Sequence, residues 1–258
     1  MSFKFKNNIS LIIIKYFCFV KYLFSIFFFI SFFSYGQELA EPTFDQVNRN
    51  SYSLGIHFNT LGWGVFGEFT KQKTYKYHHV LSAQISNIHH KNEFKISNIS
   101  QTRSYFYKKI NSLVGLRFSL GGNLKLFESQ RENGIEVQFK WKAGPLFGLL
   151  KPVYLDISKG SGTLSNSERY DPEKHGISVV DGRSNWFKGV GASKMNFGLH
   201  QKIGFNFNFS KNKNSISGGE IGFMVDYFPL SDLKIMYGTD NYKLFTCFYL
   251  QFELGNKF

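Results

Sequence analysis

Cysteine is nearly missing from this sequence, with only Cys18 and Cys247 among 258 residues. Cys18 falls in an apolar leader, so no disulfide framework can form, and Cys247 is left to fill space in a wall or an interior. Acid is also scarce. There are 18 Asp and Glu against 31 Lys and Arg, for a net charge of +13. Beyond the leader there is no long apolar run, and mean hydropathy is only −0.21, which excludes a bundle of membrane helices. No glycine-rich phosphate loop opens a helix, because Gly160-Ser161-Gly162 stands in a polar stretch. Spaced metal ligands are missing too. His78-His79 and His89-His90 are adjacent pairs, and neighbours on a strand point to opposite faces. No cofactor or metal is expected.

Aromatic residues are abundant: they make up 19% of the chain, and 31 residues are Phe. Many are concentrated near the start. Lys4, Lys6, Lys15 and Lys21 precede an apolar core at residues 22–33, and Ser34-Tyr35-Gly36 offers small residues before a cut ahead of Gln37. This pattern predicts a cleaved export signal over residues 1–36, followed by a periplasmic lead-in over 37–50. Without the four leader lysines, 27 basic residues face 18 acidic ones, near +9. A basic soluble protein would suggest nucleic acid. An exported one is expected to meet anionic outer-membrane lipid and lipopolysaccharide instead, and no nucleic-acid partner is expected.

From Ser51 onward the dominant signal is alternation. Apolar residues recur at every second position over residues 51–60, 63–70, 77–88, 104–120, 134–148, 196–210, 216–228 and 243–258, with exceptions such as Lys108, Thr246 and Asn256 on the oily parity. Side chains alternate across a strand, so each segment predicts one oily face and one polar face. Residues 134–148 are the clearest case: Glu136, Gln138, Lys140 and Lys142 share one face, and Ile135, Val137, Phe139 and Trp141 the other. Such a polar row has no place in a soluble sandwich core but suits a polar lumen. The expected fold is all-β, an antiparallel transmembrane β-barrel over residues 51–258. Eight strands are predicted; ten result if residues 149–157 and part of 176–194 form another pair. The outer connections would be 61–62, 89–103, a long loop at about 149–195, and 229–242, with inner turns beginning at Lys71, Gly121 and Lys211. Pro145 lacks a donor and is expected near the rim.

The chain ends KLFTCFYLQFELGNKF, a long strand finishing on Phe258. It resembles the closing strand of bacterial outer-membrane barrels. That resemblance implies that Phe258 forms part of the signal read by the barrel-assembly machinery. Gly62-Trp63-Gly64, residues 150–155 and the 220–227 strand extend the likeness to small porin-like and OmpX-like outer-membrane barrels of Bacteroidota. The Tyr-Gly-Gln junction also resembles export signals of that group. The implied location is the outer membrane of a Gram-negative bacterium.

An eight-strand barrel is just wide enough for its own side chains to fill it. The inward parity collects Glu68, Glu136, Glu220, Asp226 and Glu253 with Lys109, Arg117, Lys140, Lys142 and Lys202. Matched signs are what a closed lumen needs, because an unpaired buried charge costs several kcal/mol. Glu253 is expected to find its partner among those five bases. The expected role is non-enzymatic: structural, adhesive, or accessory to envelope machinery, with other envelope proteins as candidate partners. Two alternatives remain open, a narrow pore and a lipid-A-modifying enzyme. For the enzyme, His57 or His200 would act as general base beside Ser53 or Ser82.

Overall fold

The computed structural model describes residues 50–97, 103–127, 134–158, 165–210, 214–230 and 232–258. The expected export signal, all but the last residue of the lead-in, and Gly160-Ser161-Gly162 lie outside these residues. Eight strands form one closed barrel: β1 (Ser51–Asn59), β2 (Gly62–Gln72), β3 (Tyr77–Ile88), β4 (Asn111–Phe127), β5 (Glu136–Pro152), β6 (Lys194–Asn208), β7 (Ser215–Tyr227) and β8 (Leu244–Lys257). Each pairs antiparallel with its chain neighbours, and β8 closes on β1 from Ser51 opposite Lys257 to Asn59 opposite Tyr249. Both described chain ends therefore lie at the rim that carries the short turns, here the turn end. The longer connections gather at the opposite rim, the loop end.

The wall is apolar outside and charged inside. Leu54, Leu120 and Phe248 are 66%, 67% and 68% exposed, whereas Arg117, Lys142 and Glu220 are 1%, 2% and 1% exposed. This inverts the distribution of a water-soluble protein. Period-two alternation carried through eight strands produces it directly, since every strand turns the same parity inward.

Three expectations about the wall need correction. The ten-strand alternative fails because eight strands already close the barrel. Residues 149–152 continue β5, and Tyr154–Ile157 instead sits between Asn166–Arg169 and Val180–Arg183 in a separate three-stranded sheet. The fourth strand begins at Asn111 and runs on to Phe127, past the expected turn at Gly121-Gly122. Those glycines serve close packing: a Cβ at Gly121 would lie 1.9 Å from the Trp141 carbonyl oxygen. Pro145 lies inside β5, opposite Leu199 of β6, while pairing with β4 lapses between Arg117–Leu146 and Leu120–Ala143. The missing donor is accommodated by a local gap in one ladder, with no need for a rim position.

The loop end is sealed from within, a feature the alternation does not announce. Inward-facing Ile88, Leu113, Leu146, Leu150, Phe228 and Phe245 pack with Leu233, Ile235 and Met236 from the connection between β7 and β8. That connection folds over the mouth and is tied down by backbone bonds. Ile110 N and Asn111 N donate to Ile235 O at 3.0 and 3.2 Å, and Tyr237 N donates to Lys108 O at 2.9 Å. Lys108 turns the chain there with φ 56°. Asn241 shapes the connection from inside: its Oδ1 accepts from Ile235 N and Met236 N at 2.8 and 3.0 Å, and its Nδ2 donates to Met236 O at 3.1 Å. Each apolar side chain so buried contributes about 1.5–3 kcal/mol. Asn241→Ala should leave the Ile235 and Met236 amides without that acceptor. Their hydrogen exchange should accelerate about tenfold or more while wall amides keep their protection.

Candidate functional site

The lumen holds three lysines and three glutamates in one contiguous cluster. Lys140 and Lys142 project from β5, Lys202 from β6, Glu68 from β2, Glu220 from β7 and Glu253 from β8. Lys142 Nζ lies 2.8 Å from Glu68 and 3.5 Å from Glu220. Lys140 Nζ lies 3.5 Å from Glu68, 3.5 Å from Glu220 and 3.4 Å from Glu253, so Lys140 is the partner of Glu253. Lys202 approaches Glu220 at 3.4 Å, donates to Gln251 Oε1 and stands 3.9 Å over the Tyr249 ring. Neutral donors complete the carboxylates. Tyr249 Oη donates to Glu220 at 2.7 Å, and Asn206 Nδ2 and Ser53 Oγ donate to Glu253 at 2.7 and 3.2 Å. Three positive and three negative charges cancel, as burial requires.

A second group lies nearer the loop end. The Arg117 guanidinium grips Asp226, with Nε 3.1 Å from Oδ1, and Nη1 donates to Ser86 Oγ at 2.6 Å. His200 Nδ1 bonds the same carboxylate at 2.7 Å. Glu136 sits toward the turn end, 3.5 Å from Lys125 and 3.9 Å from Lys257. Lys125 fell in an expected turn; it belongs to β4. Nine of the ten expected lumen charges thus line the barrel.

Lys109 is the exception. It precedes β4, and its ammonium donates to Glu93 at 2.7 Å in the loop-end assembly. The expected strand parity stops applying where the chain leaves the wall: Lys109 instead forms an isolated bridge to Met236. Glu93 also accepts from His89 Nδ1 at 2.8 Å and from His90 N at 2.9 Å. Burial opposes its charge, but the His89 contact and Lys109 hold its pKa below the usual carboxylate value. Burial pulls the Lys109 ammonium below the usual lysine value, with Glu93 opposing that pull and Arg183 adding to it.

The residues weighed for other chemistry are dispersed. His57 meets Asn59 at 3.0 Å and lies beside the Tyr249 ring, and His200 is held by Asp226. Ser53 is engaged with Glu253, and among the described residues neither histidine bonds Ser53 or Ser82. His78 is buried and His79 exposed on opposite faces of β3, and His90 bonds Asp240 O and stacks on Tyr242. No group of three His, Cys, Asp or Glu side chains could hold a metal among the described residues. Cys247 packs with Met224 and Tyr249 inside the barrel.

Above the rim stands a small folded platform. Its three-stranded sheet has a core of Tyr105, Leu155, Tyr170 and Val180, backed by Ile96, Ile110 and Val153. Lys151 Nζ lies 4.6 Å over the Trp186 ring and donates to Trp186 O. Beside these groups is a cavity of about 70 Å³ whose lining includes His89, Tyr105, Phe106, Lys109, Arg183 and Trp186. From sequence this region is expected in a long outer loop at about 149–195, with residues 149–157 and part of 176–194 as an alternative strand pair of the wall and Tyr105 in the fourth strand.

No protein-family model matches the chain, and no curated protein matches it in sequence. Among solved structures it is similar to Ail, the attachment invasion locus protein of Yersinia pestis. That match has 11% identity and a TM-score of 0.40, and covers 83% of this chain and 100% of the other. It is also similar to Neisserial surface protein A, with 7% identity and a TM-score of 0.36 over 81% and 94% of the two chains. The outer membrane protein OprG of Pseudomonas aeruginosa gives 8%, 0.37, 83% and 97%. At these scores they carry no argument of their own; the barrel assignment rests on the closed strand order.

Two outcomes follow from this geometry. Lys142→Ala leaves Glu68 and Glu220 short of a buried counter-charge and should lower unfolding stability in urea by about 3–5 kcal/mol, whereas Lys142→Ala combined with Glu68→Gln should recover part of that loss. Glu93, with its pKa depressed from 4.5, contributes stability that is complete above that value and is lost as pH falls through the folded pKa. The stability gap between wild type and Glu93→Gln should therefore be larger above pH 4.5 than below it and shrink as pH falls, as followed by thermal unfolding.

Proposed function

We propose that this chain is an outer-membrane β-barrel of a Gram-negative envelope. In this reading the sealed barrel is a rigid, non-enzymatic mount, and the loop-end platform performs an adhesive or accessory role. The observation that carries the reading is the inverted wall, with leucine and phenylalanine exposed on the outside and the lysines and glutamates closed inside. Only an apolar surrounding makes that arrangement favourable, and a closed barrel leaves no unpaired edge facing it. Strand lengths of 9 to 17 residues meet the roughly 9–11 that a tilted crossing needs. The three longest connections share one rim, together with the two-residue Thr60-Leu61 turn, and their gathering there supports placing the platform outside.

The Phe258 ring stands 6.2 Å from Tyr52 and 6.4 Å from Phe69, on the outer surface of the seam between β8 and β1. That display supports its proposed role as a terminus read by the barrel-assembly machinery. The proposed surroundings are outer-membrane lipid and lipopolysaccharide, and the Bacteroidota resemblance of residues 62–64 and 150–155 belongs to this same proposal. The pore alternative finds less support, because Leu233, Ile235 and Met236 fill the mouth and the ion cluster fills the centre. The enzyme alternative finds less support, because no serine–histidine pair is assembled among the described residues.

The protein should fractionate with the outer membrane and migrate faster unheated than boiled on a denaturing gel; recovery as soluble periplasmic protein would sink the reading. In planar bilayers it should show no steady conductance, and stable discrete openings would overturn the sealed lumen.

A further inference from the structure

The platform cavity joins features that the sealed-mount role does not use. Its floor is buried: Tyr105 is 1% and Lys109 5% exposed. Its rim is open, with Trp186 42% exposed, His89 half-exposed and Arg183 exposed. The Tyr105 hydroxyl is buried with no hydrogen-bond partner among the described residues, and a buried hydroxyl left in that state costs about 1–3 kcal/mol. A group bound in the cavity would remove the cost.

Charge points to what that group is. Arg183 acts repulsively on both Lys109 and Lys151, so three cations share one neighbourhood. Glu93 is the acid paired with Lys109, while Lys151 spends its ammonium on the Trp186 and Lys188 carbonyls. Arg183 forms no ion pair among the described residues and presents a planar fork suited to an oxyanion. The Trp186 indole and the Phe106 ring add flat apolar surface next to these donors. Lys151 already lies over the Trp186 ring at 4.6 Å and Lys109 over the Phe106 ring at 4.9 Å; the part of Trp186 left exposed suits the C–H side of a sugar ring. A cavity of about 70 Å³ admits a substituent, while the rest of the ring would remain at the rim.

We propose that this cavity binds an oxyanion substituent (sulfate, phosphate or carboxylate) carried on a saccharide, with Arg183 and Lys109 taking the charge, Tyr105 donating a hydrogen bond and Trp186 contacting the sugar. The inference deepens the platform reading, but binding itself does not depend on the chain being in a membrane. Two sources share the chemistry: lipopolysaccharide of the same membrane, and an acidic glycan from outside.

Trp63 and Trp141 lie on the wall, so Trp63→Phe with Trp141→Phe leaves Trp186 as the only indole reporter. That protein, folded in detergent, is titrated with a sulfated disaccharide, glucuronate, inorganic phosphate and a neutral disaccharide. The anionic sugars should shift Trp186 fluorescence saturably, inorganic phosphate more weakly, and the neutral disaccharide not at all. Arg183→Gln should weaken binding about tenfold or more, Arg183→Lys should restore part of it, and Tyr105→Phe should weaken it about threefold. Lys174→Gln, a change at a highly exposed lysine outside the cavity lining, should leave it unchanged. In nanodiscs, loss of soluble-sugar binding with lipopolysaccharide but not with phosphatidylcholine identifies the resident lipid as the source, and retention in both identifies an external glycan. The proposal is overturned if the neutral sugar binds as tightly as the sulfated one, or if Arg183→Gln binds like wild type. A periplasmic, soluble protein that still binds would refute the envelope reading alone; an outer-membrane barrel that does not bind would refute only the cavity.

Discussion

Lys140 and Lys142 stand two residues apart on one strand and reach carboxylates on three others. Everything else in the barrel depends on that arrangement staying neutral. Ion pairs taken out of water contribute little net stability, but removing one partner is severe because the remaining charge is stranded. The cluster therefore acts less as glue than as a selector: a slip of one strand by one residue would turn its charges outward and its phenylalanines inward. Closed hydrogen-bond ladders and a neutral interior are two sides of one requirement, since the wall has apolar side chains on its outer face along all eight strands.

The wall was legible because its physics has one period. Each inward residue follows from the parity of its neighbours, so Glu68, Arg117 and Glu253 could be placed from sequence without knowing what they touch. Local exceptions were harder to read. Gly121-Gly122 looks like a turn because glycine is a turn residue, but here it answers the close approach of Trp141. Pro145 looks like a rim residue because it lacks a donor, yet one interrupted ladder is enough to house it. Lys109 has lumen parity only if its segment is a strand, and the chain turns at Lys108 instead.

The loop end was the least legible region because its contacts are not periodic. Leu233, Ile235 and Met236 are spaced without a pattern and are drawn inward by a connection that Asn241 moulds. The Tyr105–Tyr170 core and the Lys151–Trp186 contact join residues distant in sequence, and neither composition nor spacing marks them. What the sequence did show was a long polar stretch where the barrel needs no more strands. The structure turns much of that stretch into a small sheet with its own core and a charged cavity at its edge.

The seam between β1 and β8 couples the first wall residue to the last, Ser51 to Lys257. Until β8 is in place, one side of the sheet has open edges, and Lys140 lacks the Glu253 carboxylate. Every partial product is thus both unpaired and electrically incomplete. Folding of such a chain has an unusually long reach, with loop closure spanning nearly the whole wall before the final contacts repay it. The barrel closes only when its last strand meets its first. Its last segment is also its gatekeeper, and truncating a few residues there should forfeit the whole fold.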